Sequence, residues 1–264
     1  PDLIASHGHT IFHQPLKGFT LQIGDGNSIS ALTGLPVVFD FRSGDVALGG
    51  QGAPLVPIGD RLLFPEFDLC LNLGGIANIS FENDKNRIAF DICPANIPLN
   101  YLASIAGLPF DKDGLIARQG KINTILLNDL TRLGFYKILP PKSLGREWID
   151  REFIPLLKSF ADTVENKART VSEHIAEQIA AVVNPLKKEK MLITGGGAKN
   201  SLLTELISSK INTHVIIPEE KIIDYKESLI FAFLGVLRWR NEINILSSVT
   251  GASTDSSGGI IARV

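Results

Sequence analysis

Two glycine-rich turns and one aspartate are the residues of this chain whose types and spacing best suit chemistry. The turns are Asn72-Leu73-Gly74-Gly75-Ile76-Ala77-Asn78 and Thr194-Gly195-Gly196-Gly197-Ala198-Lys199-Asn200, and each follows a short apolar run. Glycine in such turns lets backbone N–H groups approach an anion, and a helix start beyond the turn adds a favourable dipole. Neither turn has the G-x-x-x-x-G-K-[ST] or the G-x-G-x-x-G spacing, so a Walker loop and a dinucleotide fingerprint are both excluded. Each turn read alone is equally a tight connection. Asp91 ends a predicted strand and precedes Ile92-Cys93-Pro94-Ala95-Asn96, which leads into a helix. A carboxylate there suits a general base or a metal ligand, or it simply caps the helix.

Further polar groups form a second tier. Asp40 and Arg42 flank Phe41, which places both on one side of a predicted strand. There they would bind a polar ligand or pair with each other. His7, His9 and His13 have a metal-like spacing, but Gly8, Thr10 and Ile11 favour a strand or turn. No H-E-x-x-H motif is present, so no metal site is assigned and His7 is read as a substrate contact or a satisfied polar residue. Asp111, Asp113 and Gly114 are only a fragment of a calcium loop, without its remaining ligands. Cys70 and Cys93 lack CxxC partners, and Ser6-His7-Gly8 is not a nucleophile elbow. Pro141-Lys142-Ser143-Leu144-Gly145-Arg146-Glu147 reads as a solvated turn, or as a lid offering Lys and Arg to an anionic group.

The elements that must position these groups alternate between strand-like and helix-like, which indicates an α/β architecture. Leu35 to Phe41 is a predicted buried strand, and Gly44 to Pro57 a loop too rich in glycine for a long helix. Leu69–Leu73, Ile79–Glu82 and Arg87–Ile92 make an antiparallel meander, with turns at 74–78 and 83–86. Predicted helices cover about 98–105, 117–134, 200–211 and 227–238. Val164, Ala168, Val171, Ile175, Ile179 and Val182 give the clearest amphipathic helix, closed by Pro185. Lys190–Thr194 and His214–Ile217 are predicted strands. No repeat and no low-complexity stretch is evident.

The 264 residues carry 26 Lys plus Arg against 28 Asp plus Glu, a formal charge of -2, which gives no bulk attraction to nucleic acid or anionic lipid. Charged residues make up 20% and hydrophobic residues 44%, which excludes disorder. Two cysteines fit a reducing compartment rather than a disulfide framework. No apolar run spans a bilayer, and the first residues are not a signal peptide. The chain lacks an initiator Met and is expected to be cut from something longer.

Taken together, SHGHTIFHQP, TLQIGDGNSISALTG, VVFDFRSGDVALGGQGAPLVP, NLGGIANISF, FDICPAN, DKDGLIARQG, PKSLGRE, ITGGGAKN, KESLIFAFLG and SSVTGAS resemble the anhydro-N-acetylmuramic acid kinase family in content and order. The resemblance runs from Ser6 to Ser253. It implies the two-lobed, actin-like ATPase fold with ribonuclease-H-like sheets and ATP held between the lobes. It implies a first-lobe remainder at 1–65, a second lobe at 66–240, and a C-terminal segment at 241–264 returning towards the first lobe. It implies hydrolytic opening of the 1,6-anhydro ring with phosphorylation of O6, in cytoplasmic recycling of cell-wall sugar. ATP and Mg2+ are the implied cofactors, and a homodimer without nucleic-acid or membrane partners the implied state.

By that resemblance Asp91 is the catalytic base. Asn72, Gly74, Gly75, Asn78, Gly195, Gly196, Gly197 and Asn200 meet the nucleotide. Ser6, His7, Asp40, Arg42, Asn96 and Glu227 meet the sugar. The family's first phosphate hairpin, G-x-M-S-G-T-S-x-D-G, is not found in this chain, so the first lobe is expected to be incomplete. Ile92-Cys93 stands where Thr-Gly is usual, Asn100 where Asp is common, and His9 where Gln is common. Two other readings remain open: a kinase for another amino sugar, or a non-catalytic nucleotide-binding module of the same fold.

Overall fold

The computed structural model describes residues 1–84 and 86–263. Lys85 of the expected polar turn and Val264 of the expected C-terminal segment lie outside the described residues. Ten strands run along the described chain: β1 (Ile4–Ser6), β2 (His9–Gln14), β3 (Phe19–Ile23), β4 (Val37–Phe39), β5 (Leu69–Leu73), β6 (Ile76–Asn83), β7 (Asn86–Pro94), β8 (Lys190–Thr194), β9 (His214–Ile216) and β10 (Ile260–Ala262). With the intervening helices they make an α/β chain, as the alternating pattern indicates. It divides into two units, one of Pro1–Pro65, Phe81–Ala89 and Tyr225–Val264, the other of Glu66–Ser80 and Phe90–Asp224. The division differs from the sequence expectation in giving Phe81–Ala89 and Tyr225–Arg240 to the first unit.

The second unit is built on a five-stranded sheet in the order β7-β6-β5-β8-β9. The links from β5 to β6 and from β6 to β7 hold two residues each, which permits only antiparallel pairing. β8 runs parallel to β5, with Leu71 opposite Ile193, and β9 runs parallel to β8. A meander followed by two parallel strands on its first strand is the ribonuclease-H-like topology. The central strands are apolar on both faces because helices cover both: Leu69, Leu71, Leu73, Met191 and Ile193 are fully buried. The helix Val164–Val183 starts at Thr163, whose side chain accepts from Asn166 N. It lies against the helices Asn96–Ile105, Leu115–Gln119, Thr124–Thr131 and Ser201–Lys210.

The first unit holds a three-stranded sheet, β1-β4-β10, with β1 parallel and β10 antiparallel to β4. A separate hairpin pairs β2 with β3, with an irregularity between Thr10 and Phe12. The core joins Val38 and Phe41 to Leu55 and Ile58, and to Ile230, Phe231, Leu234 and Leu237 on the helix Glu220–Trp239. That shared apolar face is why residues from Tyr225 onward group with the first unit.

Four local expectations need correction. The first glycine turn is only Gly74-Gly75, because Ile76–Asn78 already pair within β6. The helix expected over 117–134 is two helices, since Asn123 restarts the chain by accepting from Ile125 N and Leu126 N. The helix expected from Glu227 begins at Glu220. Asp40 and Arg42 do not share a strand side: β4 stops at Phe39, Asp40 takes a positive φ of 51°, and Arg42 precedes the short helix Ser43–Ala47.

Candidate functional site

The two glycine turns meet inside the second unit. Gly74-Gly75 closes the β5–β6 hairpin and is held from behind: Asn96 N donates to Gly74 O at 3.1 Å, while Ala95 N and Ile97 N donate to Gly75 O at 2.9 and 3.2 Å. The second turn leaves the neighbouring strand β8. Gly195 has φ 82° and ψ 165°, a conformation essentially restricted to glycine. A Cβ there would lie 2.5 Å from Asn72 Oδ1 and 2.8 Å from Leu73 O. One at Gly197 would lie 2.8 Å from Leu73 Cβ and 3.0 Å from Asn96 Oδ1. The second turn therefore packs directly on the end of β5, just before the first turn, and only a residue without a side chain fits at Gly195 and Gly197.

Beside them opens a cavity of about 460 Å³ bordered by Asn96, Leu99, Phe110, Lys112, Gly196 and Asn200, among others. Its size suits a nucleoside. Asn200 borders the cavity while capping the helix Ser201–Lys210, its Oδ1 accepting from Leu203 N. Asn96 donates to Leu73 O at 3.0 Å, so this expected sugar contact stands with the glycine turns. Asn78, within β6, is partly buried.

Asp91 lies inside β7, three residues before its end, about 10 Å along an extended strand. Its partner is the irregular segment 138–145. Asp91 N donates to Lys142 O at 3.0 Å, and Leu144 N donates to Asp91 Oδ2 at 2.7 Å. The other carboxylate oxygen has no partner among the described residues. Burial raises the Asp91 carboxyl above its ordinary range, and the Leu144 N–H opposes that rise. A half-satisfied carboxylate with a raised proton affinity is what a general base needs.

The remaining expected residues belong to the first unit. Ser6, His7 and Asp40 border a cavity of about 440 Å³ with β3 and Gly24-Asp25. His7 Nδ1–H donates to Gly8 O at 2.8 Å, and its Nε2 accepts from Arg42 Nε and Nη2 at 3.0 and 2.8 Å. Nε2 must therefore be the unprotonated nitrogen. Burial, then the Arg42 charge, holds His7 below its ordinary range. Arg42 also donates to Gly52 O at 2.6 Å and does not pair with Asp40, whose Oδ1 accepts from Ser43 N. Glu227, exposed on its helix, acts electrostatically on both His7 and Arg42.

Asp45 and Lys199 were not singled out in the sequence, and Asp111 only as a calcium-loop fragment. Buried Asp45 organises the loop after it, accepting from Gly52 N at 2.7 Å and from Thr250 Oγ1 at 2.7 Å. Asp111 likewise holds the start of the helix Leu115–Gln119, accepting from Ile116 N and Ala117 N. Lys199 forms exposed ion pairs with Glu220 and Asp224. The only sequence signal for Asp45 was its place beside a glycine-rich stretch, which must be held by something. No helix among the described residues is long and apolar enough to cross a membrane.

The family model for anhydro-N-acetylmuramic acid kinase matches residues 2–263. A relative of that name from Vibrio cholerae is 37% identical, over 98% of this chain and 74% of its own length. One from Haemophilus influenzae is 36% identical over 98% of this chain and 74% of its own. Among solved structures, an activator of the 2-hydroxyisocaproyl-CoA dehydratase from Clostridium difficile is similar at TM-score 0.42 and 17% identity, covering 80% of this chain and 87% of that one. Plasmodium falciparum glycerol kinase is similar at TM-score 0.43 and 17% identity, over 70% and 41%. The class defined by the sequence matches is that of the phosphotransferases acting as kinases. Within it, the chain belongs to the anhydro-N-acetylmuramic acid kinase family.

Proposed function

We propose that the protein opens the 1,6-anhydro ring of anhydro-N-acetylmuramic acid with water and phosphorylates the freed O6. Asp91 takes a proton from the water as its oxygen bonds to C1. The C1–O6 bond breaks, and O6 accepts the γ-phosphoryl group, giving the 6-phosphate and ADP. The observation that carries this reading is the close packing of the second glycine turn on the end of β5, where the first turn begins, beside a nucleoside-sized cavity and in the same unit as a partly buried, half-satisfied aspartate.

ATP, when bound, supplies the phosphoryl group. Gly195 and Gly197 let the second turn lie against Asn72 and Leu73, while Gly196, open on its Cβ side, borders the cavity with its bare backbone, which fits close approach of an anionic tail. Gly74, Gly75, Asn72, Asn78, Gly196 and Asn200 complete the proposed nucleotide set. Among the described residues no group of three or more His, Cys, Asp or Glu is arranged to hold a metal. A magnesium ion on the phosphates, held mostly through water, is proposed with ATP. Positioning and charge stabilisation, rather than covalent chemistry by the protein, then supply the rate.

The cavity of Ser6, His7 and Asp40 is proposed for the sugar, with Arg42 fixing His7 as a hydrogen-bonding ring and Glu227 as a further contact. We also propose a homodimer in the cytoplasm, which sedimentation and cell fractionation test. The function is tested by incubating the protein with ATP, Mg2+ and a panel of anhydro and free amino sugars. Consumption of the anhydro sugar alone, with oxygen from labelled water entering at C1, is expected. Phosphorylation of free sugars without water incorporation would replace the reading with an ordinary amino-sugar kinase. ATP binding with no sugar turnover would leave a nucleotide-binding module.

A further inference from the structure

We propose that Lys142 is a positioning residue for Asp91, fixing the segment whose N–H sets that carboxylate's proton affinity. The inference deepens the reading of Asp91 as the base and rests on it for its catalytic consequence.

The segment 138–145 has no regular structure, yet it meets β7 at one place only a few residues long. Lys142 O accepts from Asp91 N at 3.0 Å, and Leu144 N donates to Asp91 Oδ2 at 2.7 Å. Something must hold this register, because two hydrogen bonds to an irregular segment do not. The Lys142 side chain does so from the other side. Its Nζ donates to Phe135 O at 3.3 Å and sits 4.3 Å from the centre of the Phe135 ring. A partly desolvated ammonium over an aromatic face is a directional, short-range anchor.

That anchor is itself rigid. Phe135 is buried on the 3-10 turn Gly134–Lys137 and lies 5.7 Å from the Trp148 ring. Its neighbour Tyr136 shares a 2.8 Å hydrogen bond with His174 Nε2, and His174 is fully buried on the helix Val164–Val183. Lys142 thus ties the Asp91 strand, through its main chain, to the helical layer, through its side chain.

Asp91 is governed by its burial and by the Leu144 N–H that the Lys142 segment supplies, and the other titratable groups of the cluster are neutral. Cys93, two residues along β7, is driven up by burial and stays a thiol. Burial likewise raises Tyr136, and it pushes His174 down to about 3, so both are neutral. Lys142 is lowered by its own burial, which agrees with an ammonium held against the turn rather than free in water.

The test is the titration of Asp91 followed by carboxyl-carbon NMR in aspartate-labelled protein, assigned with Asp91→Asn. In Lys142→Met the Asp91 midpoint should rise by about one pH unit. Lys142→Arg, which keeps the charge and the ring contact, should restore it. Turnover of the anhydro sugar should follow: at a pH on the acid limb, Lys142→Met falls about tenfold and Lys142→Arg recovers. An unchanged Asp91 midpoint in Lys142→Met, with only a lowered melting temperature, overturns the proposal and leaves a structural lysine. Should Lys142→Met not fold, Lys142→Gln carries the same comparison. If the midpoint moves but the wild type turns over no anhydro sugar, the positioning stands and the assignment of Asp91 as base fails.

Discussion

Asp91 carries opposing demands. It is largely buried, so the folded protein favours its protonated form, and a single N–H from Leu144 offsets part of that preference. A carboxyl whose folded-state pKa is raised adds stability below its unfolded value, about 3.9, and loses it as pH rises through the folded value. At neutral pH the ionised group therefore costs stability that the site tolerates for its chemistry. Asp91→Asn should lower turnover by about 10²- to 10⁴-fold while keeping an acceptor for Leu144 N. Its melting temperature at pH 7 should equal or exceed the wild type's, with the gap closing towards pH 4. Steady-state kinetics and melts across pH check both halves, and wild-type turnover in the variant would remove Asp91 from the mechanism. The sequence marked Asp91 by its place near a strand end and a helix start. It gave no sign of Leu144, because that contact joins residues 53 apart in the chain.

The glycine turns are features of elements rather than of single residues. β5 and β8 lie side by side and parallel, with Asn72 opposite Thr194, so turns leaving their ends must emerge together. Gly195 then passes directly against the end of β5, at Asn72 and Leu73. Gly195→Ala should cost on the order of 2–4 kcal/mol, from the unfavourable backbone conformation plus the clash at Asn72, and should weaken ATP binding. Gly251 is the control: it has φ 78° but nothing within 4 Å of its missing Cβ, so Gly251→Ala should cost only about 1 kcal/mol and leave ATP binding alone. Denaturant melts and calorimetric titration with ATP read the two effects. Equal costs at the two sites would remove the close-approach argument. Both turns were legible as glycine runs after apolar strands. The extra length assigned to the first was not, because Ile76–Asn78 pair with other strands and no local signal reports pairing.

At the scale of the molecule, the first unit is drawn from three separate stretches of chain. Its core supplies most of the adhesion, and a buried ionic cluster links the stretches. Lys226 Nζ lies 2.7 Å from Asp60 Oδ1, and Arg87 reaches Asp60 and Glu82, with Asp60, Arg87 and Lys226 all nearly inaccessible. Lys226→Ala removes one of the two cations at the buried Asp60 carboxylate and should destabilise by about 1–3 kcal/mol. Lys199→Ala removes two exposed pairs and should leave the urea midpoint almost unchanged. Urea unfolding of both variants decides this, and a mild effect at Lys226 would show that the cluster does not hold the stretches together.

Local chemistry settled much of this protein in advance. The alternation of apolar runs, the helix start at Asn200, the stripe from Val164 to Val182 and the two glycine runs are all short-range signals, and each is where the chain suggested. Proximity was decided elsewhere. That Arg42 turns to His7 and Gly52 instead of Asp40, that Asp45 holds a loop from beneath, and that an irregular segment reaches Asp91 all follow from strand order and core shape. The contacts to His7, Leu144 and Thr250 span 35, 53 and 205 residues, and in an unfolded chain only the collective burial of distant apolar faces brings such groups within hydrogen-bonding range.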